Sequence, residues 1–193
     1  MESRRLMEEC LPGETMAQTI SVEKQMDERD GLQIEIRPLE IGGDGTAFRT
    51  LNEEWISHYF VLEAKDRETL GDPEGMILRK GGRIFQVWCS GPVWNGRVVV
   101  GVVALIPMGN GVYELSKMAV SPSMRGQGIG RRLLLHAIEQ AKKLGATSLF
   151  LGSNSRLKDA VHLYESVGFR HVPPEELPEM HYARADVFME IVL

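Results

Sequence analysis

The segment Ser123-Met124-Arg125-Gly126-Gln127-Gly128-Ile129-Gly130 constrains this chain more than any other. It follows a strand-like run, Val112 to Val120, and opens a helix expected over Ile129 to Leu144. In that helix Leu133, Leu134, Ala137, Ile138, Ala141 and Leu144 share one face, and Gly145 is its stop. Three glycines in five positions leave a bare backbone whose N–H groups can converge on one anion, and the helix N-terminus adds a partial positive charge. Arg125 contributes a full charge, with Arg131 and Arg132 following on the helix. A diphosphate suits such a turn. Other glycine-rich loops fail on spacing. A P-loop ends in Gly-Lys-Ser/Thr, which is absent, and the dinucleotide fingerprint needs G-x-G-x-x-G, whereas these glycines are spaced by two.

Around that turn the hydrophobic period alternates between strand and helix. Leu32-Gln33-Ile34-Glu35-Ile36 alternates apolar and polar, a first strand stopped by Pro38. Phe48, Leu51, Trp55, Tyr59 and Leu62 recur at three and four residues, predicting a helix from Thr46 to Leu62, with a second short helix near Lys65 to Leu70 that ends in Gly71-Asp72-Pro73. Ile84 to Cys89, Val98 to Ile106 and Val112 to Val120 are β-branched, apolar runs joined by turns at Asn95-Gly96 and Met108 to Gly111, an antiparallel meander. Strand Ser148 to Leu151, helix Lys158 to Val167 and a final strand, Asp186 to Leu193, complete the pattern. A strand–helix–strand unit of this length is parallel. The expected fold is α/β (α+β): a mixed, mainly antiparallel sheet of six to seven strands, with a parallel central pair and flanking helices. Residues 1–30 are polar and aperiodic, an extension to a domain over 31–193.

Charge narrows the partners. Residues 1–75 hold 18 acids and 8 bases, a net −10, whereas residues 76–193 hold 9 acids and 14 bases, a net +5. The acidic total of −5 disfavours a nucleic-acid binder, which needs a basic face. The basic part suits an anionic ligand, and the acidic part a cationic one. Cys10 and Cys89 form no disulfide framework and no Cys/His spacing resembles a metal site, so free thiols and no metal are expected. The opening residues lack the apolar core of about 7–15 residues of a secretory signal. Val98 to Met108 falls short of the roughly 20 residues that span a bilayer. A cytoplasmic location, with no membrane partner, is the expectation.

Three blocks in order then resemble the GNAT superfamily of N-acetyltransferases. Leu115-Ser116-Lys117-Met118-Ala119-Val120 followed by Arg125-x-x-Gly128-x-Gly130 is similar to its acetyl-CoA-binding signature. Leu149 to Asn154, then Ala160-Val161-His162-Leu163-Tyr164-Glu165-Ser166-Val167-Gly168-Phe169, is similar to its next strand and helix. The resemblance covers roughly residues 32–193 and implies a V-shaped splay between two central strands that takes the pantetheine arm of acetyl-CoA. It implies that the backbone of Met118, Ala119 and Val120 binds pantetheine and places an N–H at the thioester oxygen. The backbone from Arg125 through Gly126, Gln127, Gly128, Ile129 and Gly130 would hold the pyrophosphate, and the Asn154 side chain would touch the pantetheine.

The resemblance also places Tyr164 beside the sulfur as general acid, since a phenol near 10 can protonate a thiolate whose acid lies near 8.5. Glu114, expected on the same strand face as Ser116 and Met118, is the candidate base that relieves an ammonium acceptor of its proton, directly or through water. Glu54 and His58, four residues apart on one helical face, are candidates to read a cationic amine on a small molecule or peptide. Arg184 and Asp186 lie where they could close the cleft. Direct transfer in a ternary complex is the expected reaction, without a cysteine intermediate. A non-catalytic acyl-CoA sensor or a module holding a basic partner are the alternatives, and a homodimer through an edge strand at the C-terminus is a further expectation.

Overall fold

The computed structural model describes the backbone of residues 23–27 and, with their side chains, residues 32–91, 96–173 and 183–193. Its strands are β1 (Glu23–Asp27), β2 (Leu32–Pro38), β3 (Arg83–Ser90), β4 (Val98–Gly109), β5 (Val112–Val120), β6 (Ser148–Ser153), β7 (Arg170–His171) and β8 (Val187–Val192). The helices are α1 (Thr46–Tyr59), α2 (Ala64–Gly71), α3 (Pro73–Met76), α4 (Ile129–Lys143) and α5 (Lys158–Ser166). Among the described residues one sheet has the order β1-β2-β3-β4-β5-β6-β8-β7, and only β5 and β6 pair in parallel. The mixed architecture is the expected one. The count among the described residues reaches eight because Glu23–Asp27, within the segment read as an extension, pairs with β2, and Arg170-His171 adds a two-residue rung on β8. The C-terminal strand is therefore not the outermost one: β8 lies between β6 and β7. The rest of residues 1–30 and the Asn95 turn lie outside the described residues.

Each face of the sheet is covered by helices, and α4 and α1 each carry an apolar stripe. On one face α4 buries Ile129, Leu133, Leu134, Ala137 and Ala141 against β3, β4 and β5 residues such as Phe85, Val103 and Leu115. It ends as expected at Gly145, whose φ of +77° allows Ala146 N–H to reach the Ala141 carbonyl at 3.0 Å. On the other face α1 buries Phe48 and Ile56, with Leu70 and Ile77 nearby, against Ile84, Val102 and Ala104. Each such fully buried side chain stabilises the fold by about 1.5–3 kcal/mol relative to exposure. The deepest line of α1 is Phe48, Asn52 and Ile56, so the helix is rotated from the expected stripe, and Trp55 and Tyr59 sit on its half-buried flank. The Gly71-Asp72-Pro73 stop also starts α3. Asp72 Oδ1 accepts from Gly75 N–H at 2.8 Å, and Pro73 sits at the first helical position, where its missing N–H costs nothing.

Two irregularities shape the centre. Parallel pairing of β5 with β6 runs only from Val112–Ser148 to Glu114–Phe150, and beyond it the strands part. Each keeps its outer partner: β5 pairs with β4 as far as Val120, and β6 with β8 as far as Ser153. The second irregularity is a bulge in β5. Ser116 faces Ala104 and Ala119 faces Val102, so Lys117 and Met118 together oppose Val103, and Lys117 takes a φ of +52°. The alternation of faces reverses there. Leu115 and Met118 both pack on the α4 face, whereas Ala119 packs on the α1 face. Glu114 thus shares a face with Ser116 but not with Met118, correcting the unbroken alternation expected from sequence. Among the described residues no helix is long and apolar enough to cross a membrane.

Candidate active site

The parting of β5 and β6 opens a cavity of about 870 Å³. Its walls are the inner edges of both strands, the first turn of α4, residues of α5 including Tyr164, the aromatic flank of α1 and the segment before β8. Past Glu114 the inner edge of β5 has no β6 partner, so its backbone faces the cavity with hydrogen-bonding capacity unmet by the sheet. Met118, Ala119 and Val120 line that edge.

At one end lies the glycine turn. A short 3₁₀ turn, Pro122–Met124, leads through extended Arg125 to Gly126 at φ +75° and Gly128 at φ +76°. A Cβ at either glycine would meet nothing within 4 Å, so conformation rather than space requires glycine here. Gly128 is the N-cap of α4 and no side chain caps that helix, which leaves its first-turn N–H groups open to the cavity that Gly128, Ile129 and Gly130 line. Arg125 and Arg131 line the same end, Arg131 donating to Ser166 Oγ at 2.8 Å. The Gln127 side chain is exposed and reaches only the Met124 sulfur, at 3.8 Å.

Tyr164 projects from α5 and is 9% exposed, with its ring tilted against Phe169 at 5.9 Å. Burial pushes its phenol up to about 12. Glu114 is half-buried on the cavity wall where the strands begin to part. Asn154 lines the cavity too, but its side chain is engaged locally: Nδ2 donates to the Arg184 carbonyl at 2.6 Å and Oδ1 accepts from Arg156 N–H at 2.9 Å. Cys89 is fully buried in the core, and burial raises its thiol, so it is no nucleophile for this cavity.

The other end is built from residues far apart in sequence. Glu54 and His58 are exposed on α1 and outside the cavity lining; Trp55, Tyr59 and Phe60 face the cavity instead. The cause is the rotation of α1 that buries Asn52, whose Nδ2 donates to the Phe48 carbonyl at 2.9 Å and the Lys117 carbonyl at 3.1 Å, while Oδ1 accepts from Trp55 Nε1 at 3.0 Å. Asn52 thereby ties α1 to the β5 bulge.

Beneath it Asp66, fully buried on α2, accepts from Lys117 Nζ at 2.6 Å and from both terminal nitrogens of Arg184 at 2.6 and 2.9 Å. Burial alone would raise the Asp66 carboxyl, but Arg184 and Lys117 outweigh it and hold it below the usual carboxylate range. Burial in turn lowers the Lys117 ammonium, with Asp66 opposing. Glu63 accepts from the Ala183 and Arg184 N–H groups at 3.1 and 3.3 Å, so α2 clamps the segment before β8. Asp186 accepts from Ser155 N–H and Oγ at 2.7 and 2.8 Å. Asp66, Glu63 and Lys117 escaped the sequence reading. The one available signal was a lysine between Leu115 and Met118-Ala119-Val120 in a strand.

Charge in the cavity follows this wiring. Among the described residues that line it, the acids are Glu114 and Asp159, and the bases include Arg125, Arg131, Arg156 and Lys158 besides the ion-paired Lys117 and Arg184. None of the described acids of residues 1–75 lines the cavity. Among the described residues no group of three or more His, Cys, Asp or Glu side chains could hold a metal ion.

Comparison with known proteins agrees with this architecture. The model of the acetyltransferase (GNAT) family matches residues 47–169, from the first turn of α1 to just past the end of α5. The chain belongs to that family and is an acyltransferase of the N-acetyltransferase type. It is 37% identical over 122 residues to the uncharacterized N-acetyltransferase YjgM of Escherichia coli, covering 61% of this chain and 71% of that one. It is 34% identical over 161 residues to the uncharacterized N-acetyltransferase C1271.07c of Schizosaccharomyces pombe, covering 80% and 95%. The fold also matches PaiA N-acetyltransferase of Thermoplasma acidophilum, solved in complex with coenzyme A. The TM-score is 0.61 and the identity 20%, over 83% of this chain and 99% of that one.

Proposed function

We propose that this protein transfers the acetyl group of acetyl-CoA directly to a primary amine held beside it. The carrying observation is the parted β5–β6 pair that runs into the uncapped, glycine-rich start of α4. A flexible arm with amide groups fits the unpaired β5 edge at Met118 to Val120, and a diphosphate fits the N–H groups from Arg125 to Gly130. Holding both reactants in one cavity removes the entropy of a bimolecular encounter.

Acetyl-CoA supplies the thioester, whose carbon–sulfur bond breaks as the carbon–nitrogen bond to the amine forms. A backbone N–H at the β5 bulge stabilises negative charge growing on the carbonyl oxygen, a contribution of about 3 kcal/mol where such a donor is fixed in advance. Glu114 takes a proton from the ammonium acceptor, directly or through water. Tyr164 stays protonated at every neutral pH because its phenol lies at about 12. Full proton transfer from it to a thiolate of pKa about 8.5 is uphill by roughly 5 kcal/mol. Its part is a hydrogen bond to the departing sulfur, and the proton that nitrogen sheds on becoming an amide completes the thiol. Asn154 orders the wall beside the pantetheine.

The test is a thermal melt with acetyl-CoA followed by thiol release with a panel of primary amines. Saturation at about 100 times Kd should add roughly 2.7 kcal/mol of stability. No shift at millimolar acetyl-CoA, or a shift without thiol release for any amine, would overturn the proposal.

A further inference from the structure

We infer that the acceptor amine carries its own oxyanion, a carboxylate or a phosphonate, and that Arg156 is the side chain that selects it. The inference rests on the acetyl-transfer reading above and names the acceptor class for that site.

Arg156, exposed in the turn after β6, reaches the C-terminal end of α1 at the rim of the cavity. Its Nη1 donates to the Tyr59 carbonyl at 3.0 Å, and its guanidinium carbon sits 5.2 Å from the centre of the Phe60 ring. Those two contacts fix the plane of the guanidinium and leave its Nε–Nη2 edge unused. Two parallel N–H donors on one edge match the two oxygens of a carboxylate or phosphonate. Among the described residues Arg156 has no carboxylate partner, although it lies on the cavity wall. The two less exposed cationic side chains at this end differ in that respect. Lys117 and Arg184 are held by Asp66, and Arg184 also by Glu63.

The arrangement also opposes a polycationic acceptor. The acids of residues 1–75 nearest the cavity, Glu63 and Asp66, are occupied by Arg184 and Lys117, and Glu54 is exposed outside it. Glu114 is the carboxylate left on the β5 wall to meet an ammonium. An amine with one oxyanion would set its charges against Glu114 and Arg156, with its body on the aromatic wall of Trp55, Tyr59 and Phe60. Arg156 and those aromatics share α1 as their support, whereas the diphosphate turn belongs to α4. A phosphate of the coenzyme is the other oxyanion source, and the test separates the two.

Thiol release is measured for matched pairs that differ only in the anion, L-phenylalanine against 2-phenylethylamine and 3-aminopropylphosphonate against propylamine, with spermidine as the polycation. The expected result is a kcat/KM at least tenfold higher for the anionic member of a pair. Arg156→Gln should lower that value by about 10- to 100-fold, chiefly through the acceptor KM, with the acetyl-CoA KM and the melting temperature unmoved. Arg156→Glu should invert the preference within the pair. Equal or better turnover of the neutral amines or of spermidine would overturn the inference while leaving acetyl transfer in place. So would an Arg156→Gln effect confined to the acetyl-CoA KM, which assigns the arginine to the coenzyme. No turnover of any amine would remove the underlying reading, and this inference with it.

Discussion

The two ends of the cavity are built on opposite principles. At the α4 end the working groups are backbone N–H groups, presented by a turn whose residues are contiguous from Arg125 to Gly130. At the α1 end they are side chains gathered from Asn52, Trp55, Phe60, Asp66, Lys117, Arg156 and Arg184, segments joined only by the fold. Backbone recognition tolerates drift in side chains provided that the turn keeps its conformation. Side-chain assembly depends on every segment docking correctly, and so carries both the specificity and the fragility of the site.

That contrast can be broken first at its most demanding point. Asp66→Asn should cost about 3–5 kcal/mol of stability at pH 7 in urea unfolding, since Lys117 and Arg184 would lose their buried counter-charge. The folded Asp66 carboxyl lies below its ordinary value, so its contribution is complete above about pH 4 and fades as the pH falls towards the folded pKa. The wild-type advantage over Asp66→Asn should shrink at pH 3; an unchanged gap there would mean that the pairing is not what stabilises the protein.

Next in size, Tyr164→Phe should lower kcat about 100-fold with little change in the acetyl-CoA KM. Because burial holds that phenol at about 12, the wild-type pH–rate profile should show no Tyr164 limb up to pH 10. A limb near pH 9 that vanishes in Tyr164→Phe would refute this placement.

Smaller again, Gly128→Ala forces an L-residue into φ +76° at a strain of about 1–2 kcal/mol. Calorimetric titration should show acetyl-CoA bound up to about tenfold more weakly, while acceptor KM stays put; a change in acceptor KM alone would erase the division between the two ends. Least of all, Glu54→Gln and His58→Ala should alter stability by under about 0.5 kcal/mol and leave acceptor KM unchanged, as expected for exposed positions outside the cavity. A several-fold rise in acceptor KM for either would return them to the site.

Legibility in the sequence follows the range of the interactions. The α4 stripe and its Gly145 stop were readable because they depend on contacts within one helix and on the conformational freedom of one residue. The α1 stripe was readable as a helix but not in its rotation, because Asn52 is drawn inward by the Lys117 carbonyl, 65 positions away. The face of Met118 was misjudged for a related reason: the β5 bulge arises from pairing with β4, and local alternation carries no trace of it. The divided net charge was real as arithmetic but did not tell which acids are free, since ion pairing engages Glu63 and Asp66.

By itself the sequence determined the order of the six longest strands and the four longest helices, the glycine turn with its arginines, and the placement of Tyr164 on the helix after the parallel strand. These are settled by periodicity and by backbone freedom, which act over a few residues. The tertiary structure decided where β5 and β6 part, which side of α1 faces the cavity and which charges remain to meet a substrate. Those outcomes depend on packing and ion pairing between segments 50 to 120 positions apart, where each contact is chosen against every competing one only once the chain has folded.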